Sequence, residues 1–221
     1  MDIKIQVPTD LSEIPLYQYQ EFHKVLDVNK DADYSDLFIQ EKMLQIFCGM
    51  PLSNAIKYRK SEVDQVTDII AKTLEQKPNL VQSFQIGDTT FGFIPKLEDI
   101  TFGEYIDLDN NIGDVKNLHK AMAVLYRPIK QKIKEKYLIE EYKGDNYHEA
   151  MIHTPMDAVV SSMLFFWNLG IELSKTMIAS LQEEFREDLT QEQISVLSGV
   201  GINQFTLSPM EILPNLKKLQ N

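Results

Sequence analysis

Ile3, Ile5 and Val7 alternate with Lys4 and Gln6 and stop at Pro8, the period of two that predicts a short strand. A helix is expected from about Pro15 to Leu26, because a fixed φ and a missing N–H suit proline to a first helical turn. A second spans Tyr34 to Phe47, with Leu37, Met43, Leu44 and Phe47 on or near one stripe. A third opens at Ser61-Glu62-Val63; Val63, Val66, Ile70 and Leu74 recur at steps of three and four, and Lys77-Pro78 closes it. Phe84-Gln85-Ile86, then Gly87-Asp88, then Thr90 to Ile94 predicts a β-hairpin. Thr101 followed by Glu104 is a capping box that starts another helix by satisfying free backbone N–H groups. Val115 to Tyr126 is helical, with Leu118, Met122 and Leu125 on one face, and ends before Pro128. Tyr137 to Tyr142, rich in aromatic and β-branched residues and followed by Lys143-Gly144, predicts a strand.

The longest helix is expected from Pro155 to about Arg186, residues 155–186, with Thr154 as its cap, Pro155 in its first position and Asp157 at its positive end. From Val159 to Trp167 it is apolar almost all round, as a central core helix is. Its second half is amphipathic through Leu173, Met177, Ile178, Leu181 and Phe185. After Leu189 the periodicity weakens: Gly199-Val200-Gly201 predicts a loop, and the stretch through Pro209 and Pro214 is extended or loosely helical. The pattern gives an α+β, mainly α-helical fold, a helical core around the 155–186 helix with a small β-hairpin or sheet. Residues 1–187 form a single globular domain, and 188–221 a C-terminal extension suited to docking on a partner.

One pattern occurs twice. Val7-Pro8 leads into Leu11-Ser12-Glu13-Ile14-Pro15-Leu16-Tyr17-Gln18-Tyr19-Gln20-Glu21-Phe22. Ile94-Pro95 leads into Leu97-Glu98-Asp99-Ile100-Thr101-Phe102-Gly103-Glu104-Tyr105-Ile106-Asp107-Leu108. Both fit L-x-[ED]-I-x-[LF]-x-[QE]-Y-x-[ED]-[FL] after an apolar residue and a proline. Residues 7–22 and 94–108 are therefore expected to be one strand–Pro–helix device used at two places, with Tyr19 and Tyr105 bracing helix against strand.

The chain has 221 residues, 43% hydrophobic and 25% charged, enough to bury a substantial core. A net charge of −11 argues against a general nucleic-acid binder, whose footprint is a basic patch, and is compatible with a surface that repels DNA. Cys48 is alone, so no internal disulfide forms; in Leu44-Gln45-Ile46-Phe47-Cys48 it is expected to be a buried, inert thiol. MDIKIQVPTD shows no secretory signal, and the longest apolar run, Ala158 to Trp167, falls short of the about 20 residues that span a bilayer. No membrane association is expected.

Catalytic and metal motifs give little. No phosphate-binding glycine loop or nucleophile elbow occurs. His148-Glu149-Ala150-Met151-Ile152-His153 resembles a zincin motif with one residue too many; five helical positions turn about 500°, leaving the imidazoles roughly 140° apart. His119 reads as a surface or boundary residue. Asp107/Asp109 and Glu140/Glu141 are carboxylate pairs that arise freely in an acidic chain. Asp107-Leu108-Asp109-Asn110-Asn111 lacks the glycine and glutamate of a calcium loop, since, counted from Asp107, Gly113 falls one place past position six and Leu118 stands at position twelve. No catalytic, cofactor-binding or metal-binding residue is assigned, no cofactor is expected, and a structural or binding protein is favoured over an enzyme.

Three segments carry a resemblance: Leu97 to Leu108; His119-Lys120-Ala121-Met122-Ala123-Val124-Leu125-Tyr126-Arg127-Pro128; and Pro155-Met156-Asp157-Ala158-Val159 leading into Phe165-Phe166-Trp167-Asn168-Leu169-Gly170. With them the chain, over roughly residues 1–187, resembles virion proteins of tailed bacteriophages, most closely the tail ring proteins of crAss-like phages. The resemblance implies a structural ring subunit of the head-to-tail connector below the portal, lining or supporting the DNA channel. Its partners would be copies of itself, the portal protein and adjacent tail ring proteins, with at most weak nonspecific contact to genomic DNA. It would be made in the host bacterial cytoplasm and reside in the virion. A non-virion tail-assembly chaperone and a small hydrolase are the alternative readings. The shared motifs are packing signatures and bring no catalytic residues with them.

Overall fold

A computed structural model describes residues 5–28, 36–96, 100–134, 136–144 and 146–184, with side chains on the last helix described through Asn168 and at Ile171 and Lys175. In chain order the elements are a 3-10 turn Leu11–Glu13, α1 Leu16–Val28, α2 Asp36–Cys48, α3 Leu52–Ala55, α4 Lys60–Leu74, β1 Ser83–Ile86, β2 Thr89–Phe93 and α5 Phe102–Ile112. A second 3-10 turn, Val115–Asn117, precedes α6 Leu118–Leu125, β3 Tyr126–Ile133, β4 Lys136–Ile139, α7 His148–Met151 and α8 Met156–Glu184. The fold is α+β and mainly helical, with one antiparallel sheet in the order β1-β2-β3-β4.

Two helix starts are tied together by backbone. Pro15 and Pro155 face each other in an isolated antiparallel bridge. Around them the Leu16 N–H donates to the Thr154 carbonyl, the Met156 N–H to Ile14 and the Tyr17 N–H to Ile152, each at 2.8 Å. The first N–H groups of a helix have no partner within it; here those of α1 and α8 use carbonyls of the opposite segment. Leu11, Ile14, Leu16, Thr154, Met156, Ala158 and Val159 are all buried around the crossing. The prolines stand just before their helices, and Thr154 does not act as the expected cap: its fully buried hydroxyl donates to Met151 Sδ at 3.2 Å. Asp157 accepts from the Ala158 N–H at 2.8 Å as an N-terminal acid should, although burial raises its pKa above the usual carboxylate value.

The expected strand over Ile3–Val7 is absent from the described part, where residues 5–9 are irregular. Just after it the chain is held by side chains: the Thr73 hydroxyl at the end of α4 donates to the Pro8 carbonyl at 3.2 Å, and Gln76 Nε2, past that helix, to Thr9 at 3.1 Å. The hairpin forms as expected, its turn using Gly87 at a φ of 57°. The α6 helix ends at Leu125 instead of Tyr126, and Tyr126 starts β3 with no loop between. Pro128 excludes helical backbone at Arg127, and a bulge at Lys130 relaxes the β3–β4 ladder close to the proline. β4 is shorter than the expected 137–142 strand, and α3 and α7, single turns, carry too few positions for a periodic signal.

An aromatic cluster joins the sheet to α8. Phe84 lies 4.8 Å and Phe93 5.2 Å from the Tyr126 ring, and Phe93 contacts Phe165 at 5.7 Å and Phe166 at 6.2 Å. The buried start of α8 is not purely apolar. Ser161 and Ser162 return their hydroxyls to the carbonyls of Ala158 and Val159, which makes burying them tolerable. Tyr137 lies over β3 with its hydroxyl 2.8 Å from the Phe93 carbonyl and 3.0 Å from that of Gln82. Only glycine fits beneath it: a Cβ at Gly92 would stand 2.6 Å from the Tyr137 ring. Leu37, placed on the α2 core stripe by spacing, is 58% exposed, while Met43, Leu44 and Phe47 are buried. Leu173, Met177, Ile178, Leu181 and Phe185 fall outside the described side chains, as does the extension over 188–221.

The two copies of the repeated pattern do not build the same device. Phe22 and Leu108 are both buried, but Leu16 is buried where Phe102 is 78% exposed. Tyr19 is buried where Tyr105 is 45% exposed, so only the first tyrosine braces the core. The Thr101 capping box is present, with Glu104 accepting from the Thr101 N–H at 2.7 Å. The other carboxylate oxygen of Glu104 meets Arg127 at 2.8 Å, and both side chains are nearly enclosed, at 4% and 11% exposure. This pair fastens the first turn of α5 to the base of β3.

Breaking the pair from one side leaves an uncompensated buried charge. Arg127→Met is expected to lose about 3–5 kcal/mol in chemical denaturation, and adding Glu104→Gln to recover much of that. A loss below about 1 kcal/mol for Arg127→Met would mean that the pair is not structural.

Candidate functional site

A polar groove of about 860 Å³ opens between α5, α6 and the 142–150 segment, lined by Asp107, Asn111, Lys120, Tyr142, Asn146, Tyr147, His148, Glu149 and Ala150. The α5 helix supplies Asp107 and Asn111 one turn apart, and α6 supplies Lys120. Tyr142 donates its hydroxyl to Asp107 at 2.6 Å, and Tyr147 donates to Glu140 at 2.8 Å. That carboxylate holds the Tyr147 proton and raises the phenol's pKa. Tyr147 has a left-handed backbone, φ 70°, uncommon for a bulky residue, which turns the chain into α7.

His119 lies beside the groove, its ring edge-on to His148 at a centroid distance of 6.5 Å. Gln20 of α1 reaches its Nδ1 at 3.2 Å and also donates to the Val115 carbonyl at 2.8 Å. Burial, then the charge of Lys120 and then His148 hold the His119 pKa below its usual value, against a smaller opposing effect of the Lys116 carbonyl.

The structure redistributes the residues that the sequence paired. His148 opens α7 and faces His119, while His153, beyond that helix, sits edge-on to Tyr17 at 5.5 Å. The two histidines of the zincin-like stretch thus have different surroundings, and among the described residues no cluster of three metal-ligating side chains forms. Asp107 to Asn111 is helical, so it makes no calcium loop. Asp107 and Asp109, two positions apart on α5, point about 200° from each other, and Asp107 and Glu140 are each engaged by a tyrosine. Cys48 is half-buried, with burial pushing its thiol up to about 11. The His119–His148 approach spans 29 positions of chain and left no local pattern to find. Of its lining, Lys120, Asn146 and His148 are the polar groups the groove presents to a small polar ligand.

Two exposed faces stand apart from the groove. On α5, Phe102, Tyr105 and Ile106 are 78%, 45% and 41% exposed and, at steps of three and four, form one apolar stripe. On the other, the distal β3–β4 hairpin is exposed on both strands, with Ile133 at 62% and Leu138 at 63% among Lys130, Lys132, Lys134 and Lys136. Among the described residues no helix is long and apolar enough to cross a membrane. No known protein family, curated protein or solved structure gives a significant match to this chain.

With its folded-state pKa depressed, His119 contributes stability that is present above pH 6.5 and lost as pH falls through the lowered value, because the unfolded imidazole takes up its proton first. His119→Gln should therefore flatten the fall in melting temperature on acidification below pH 6.5, as read by calorimetry. An unchanged slope would show that His119 is not held neutral by its surroundings.

Proposed function

We propose that this protein is a structural subunit of a ring in the head-to-tail connector of a tailed bacteriophage, below the portal, where it lines or supports the DNA channel. The observation that carries the reading is the presence of two unlike exposed faces, the apolar α5 stripe and the lysine-rich hairpin, on one braced body. A closed ring joins one face of each copy to a different face of the next, so it requires two such surfaces. The resemblance to crAss-like phage tail ring proteins points the same way. Its three segments are packed in series: Glu104 of the first pairs with Arg127 of the second, and the Tyr126 hydroxyl of the second lies 3.4 Å from the Ala158 carbonyl of the third.

The net charge of −11 suits a channel wall that holds DNA weakly and lets it slide. The partners in this reading are copies of the chain, the portal and adjacent tail rings, and the 188–221 extension is available for a neighbouring ring. No enzymatic step is assigned to the groove.

Quantitative mass spectrometry of purified particles tests the proposal. A fixed copy number matching one ring, comparable with that of the portal protein, is expected. Absence from particles alongside abundance in infected cells would overturn it in favour of a tail-assembly chaperone. Hydrolytic activity lost in His119→Gln or Glu149→Ala would return the groove to consideration as an active site.

A further inference from the structure

We infer that the β3–β4 arm of one copy docks on the exposed face of α5 in the next copy, which rests on the ring reading and names the surfaces that close it. The arm is a poor fit to the rest of the molecule in charge. Lys130, Lys132, Lys134 and Lys136 against Glu135 give it +3, so in a chain of net −11 the remainder carries −14. The α5 segment is the matching partner. From Phe102 to Asp114 it holds no lysine or arginine; Glu104 is buried on Arg127, which leaves Asp107, Asp109 and Asp114 as its acids, and its exposed stripe is Phe102, Tyr105 and Ile106.

The strand register decides which side of the arm makes contact. Gln131 is opposite Leu138 and Ile133 opposite Lys136, so these four share one face, while Lys132 and Tyr137 share the other. The Tyr137 ring is committed to Gly92 and the Phe93 carbonyl. The face left over combines two exposed aliphatic side chains with one lysine. A phosphate backbone rewards cations and gains nothing from Ile133 and Leu138, whereas an apolar stripe flanked by carboxylates is served by both. The mixed face therefore favours protein over nucleic acid.

The contact falls between copies because within one copy both surfaces stay exposed, Phe102 at 78%, Ile133 at 62% and Leu138 at 63%. Glu104 on Arg127 fixes the first turn of α5 at the base of β3, and the six residues to Ile133 carry the arm's tip roughly 20 Å away along the strand. Arm and receptor are different surfaces, so the contact is heterologous and propagates from copy to copy. β4 is also the sheet's edge strand, and its Lys136 discourages indiscriminate edge pairing while leaving a charged partner attractive.

Disulfide trapping in the full chain tests this. In a Cys48→Ala background, Ile133→Cys combined with Ile106→Cys should give, on mild oxidation, a ladder of linked dimers, trimers and higher species; either cysteine alone should not pass dimer. Separately, Lys136→Glu should raise the half-assembly concentration at least about tenfold in sedimentation, with melting unchanged because the position is exposed. Assembly into rings that ignores the charge reversal and yields no ladder overturns the arm–α5 contact while leaving the ring. Cross-linked product that stops at dimer, or a chain that remains monomeric at its highest soluble concentration, overturns the contact and the head-to-tail arrangement together.

Discussion

The rest of the structure depends on the crossing of Pro15 and Pro155. Two helices that each follow a proline need partners for their first N–H groups, and each obtains them from the segment leading into the other. Because those bonds are backbone to backbone, they set the position of α1 against α8 with little room for adjustment, and buried Ile14, Leu16, Thr154 and Met156 keep water from competing for them. From this fixed corner, Ala158 and Val159 enter the core, Ser161 receives the Val81 N–H at 3.1 Å, and the aromatic cluster on the sheet finds Phe165 and Phe166. The groove also inherits its geometry here, since α1 carries Gln20 to His119 and the 142–154 segment delivers Tyr142, Tyr147 and His148 immediately before the crossing.

Elements with a long periodic signal were legible in the sequence. The spacing of Val63, Val66, Ile70 and Leu74 gave α4, that of Leu118, Met122 and Leu125 gave α6, and Gly87-Asp88 gave the hairpin. Failures occurred where a distant partner overrode a local preference. Ile3 to Val7 alternate like a strand, but the described residues 5–9 are irregular and run to Pro8 and Thr9, whose carbonyls accept from Thr73 at the end of α4 and from Gln76 just past it. Tyr19 and Tyr105 occupy equivalent positions in a repeated sequence and differ because α1 is covered where α5 is open. The proline crossing was half visible: each proline marked a helix start, and nothing local said that the two starts would meet.

The groove was the least legible part. Its members come from α5, α6 and the segment before α8, and the carboxylates that looked paired along the chain are engaged by tyrosines from elsewhere. The exposed faces were hidden for a different reason. A stripe such as Phe102, Tyr105 and Ile106 has the spacing of a core face, and only the fold reveals that no described element covers it. An apolar stripe left open and a cationic arm on an acidic body are the two surfaces on which the ring proposal rests.

The ring proposal is tested most directly by imaging purified phage particles at a resolution that traces the backbone of this chain. The expected result is copies in a single ring about the DNA axis, related by rotation alone, each presenting unlike faces to its two neighbours. Copies paired about two-fold axes, or density for the chain outside the connector, would contradict it.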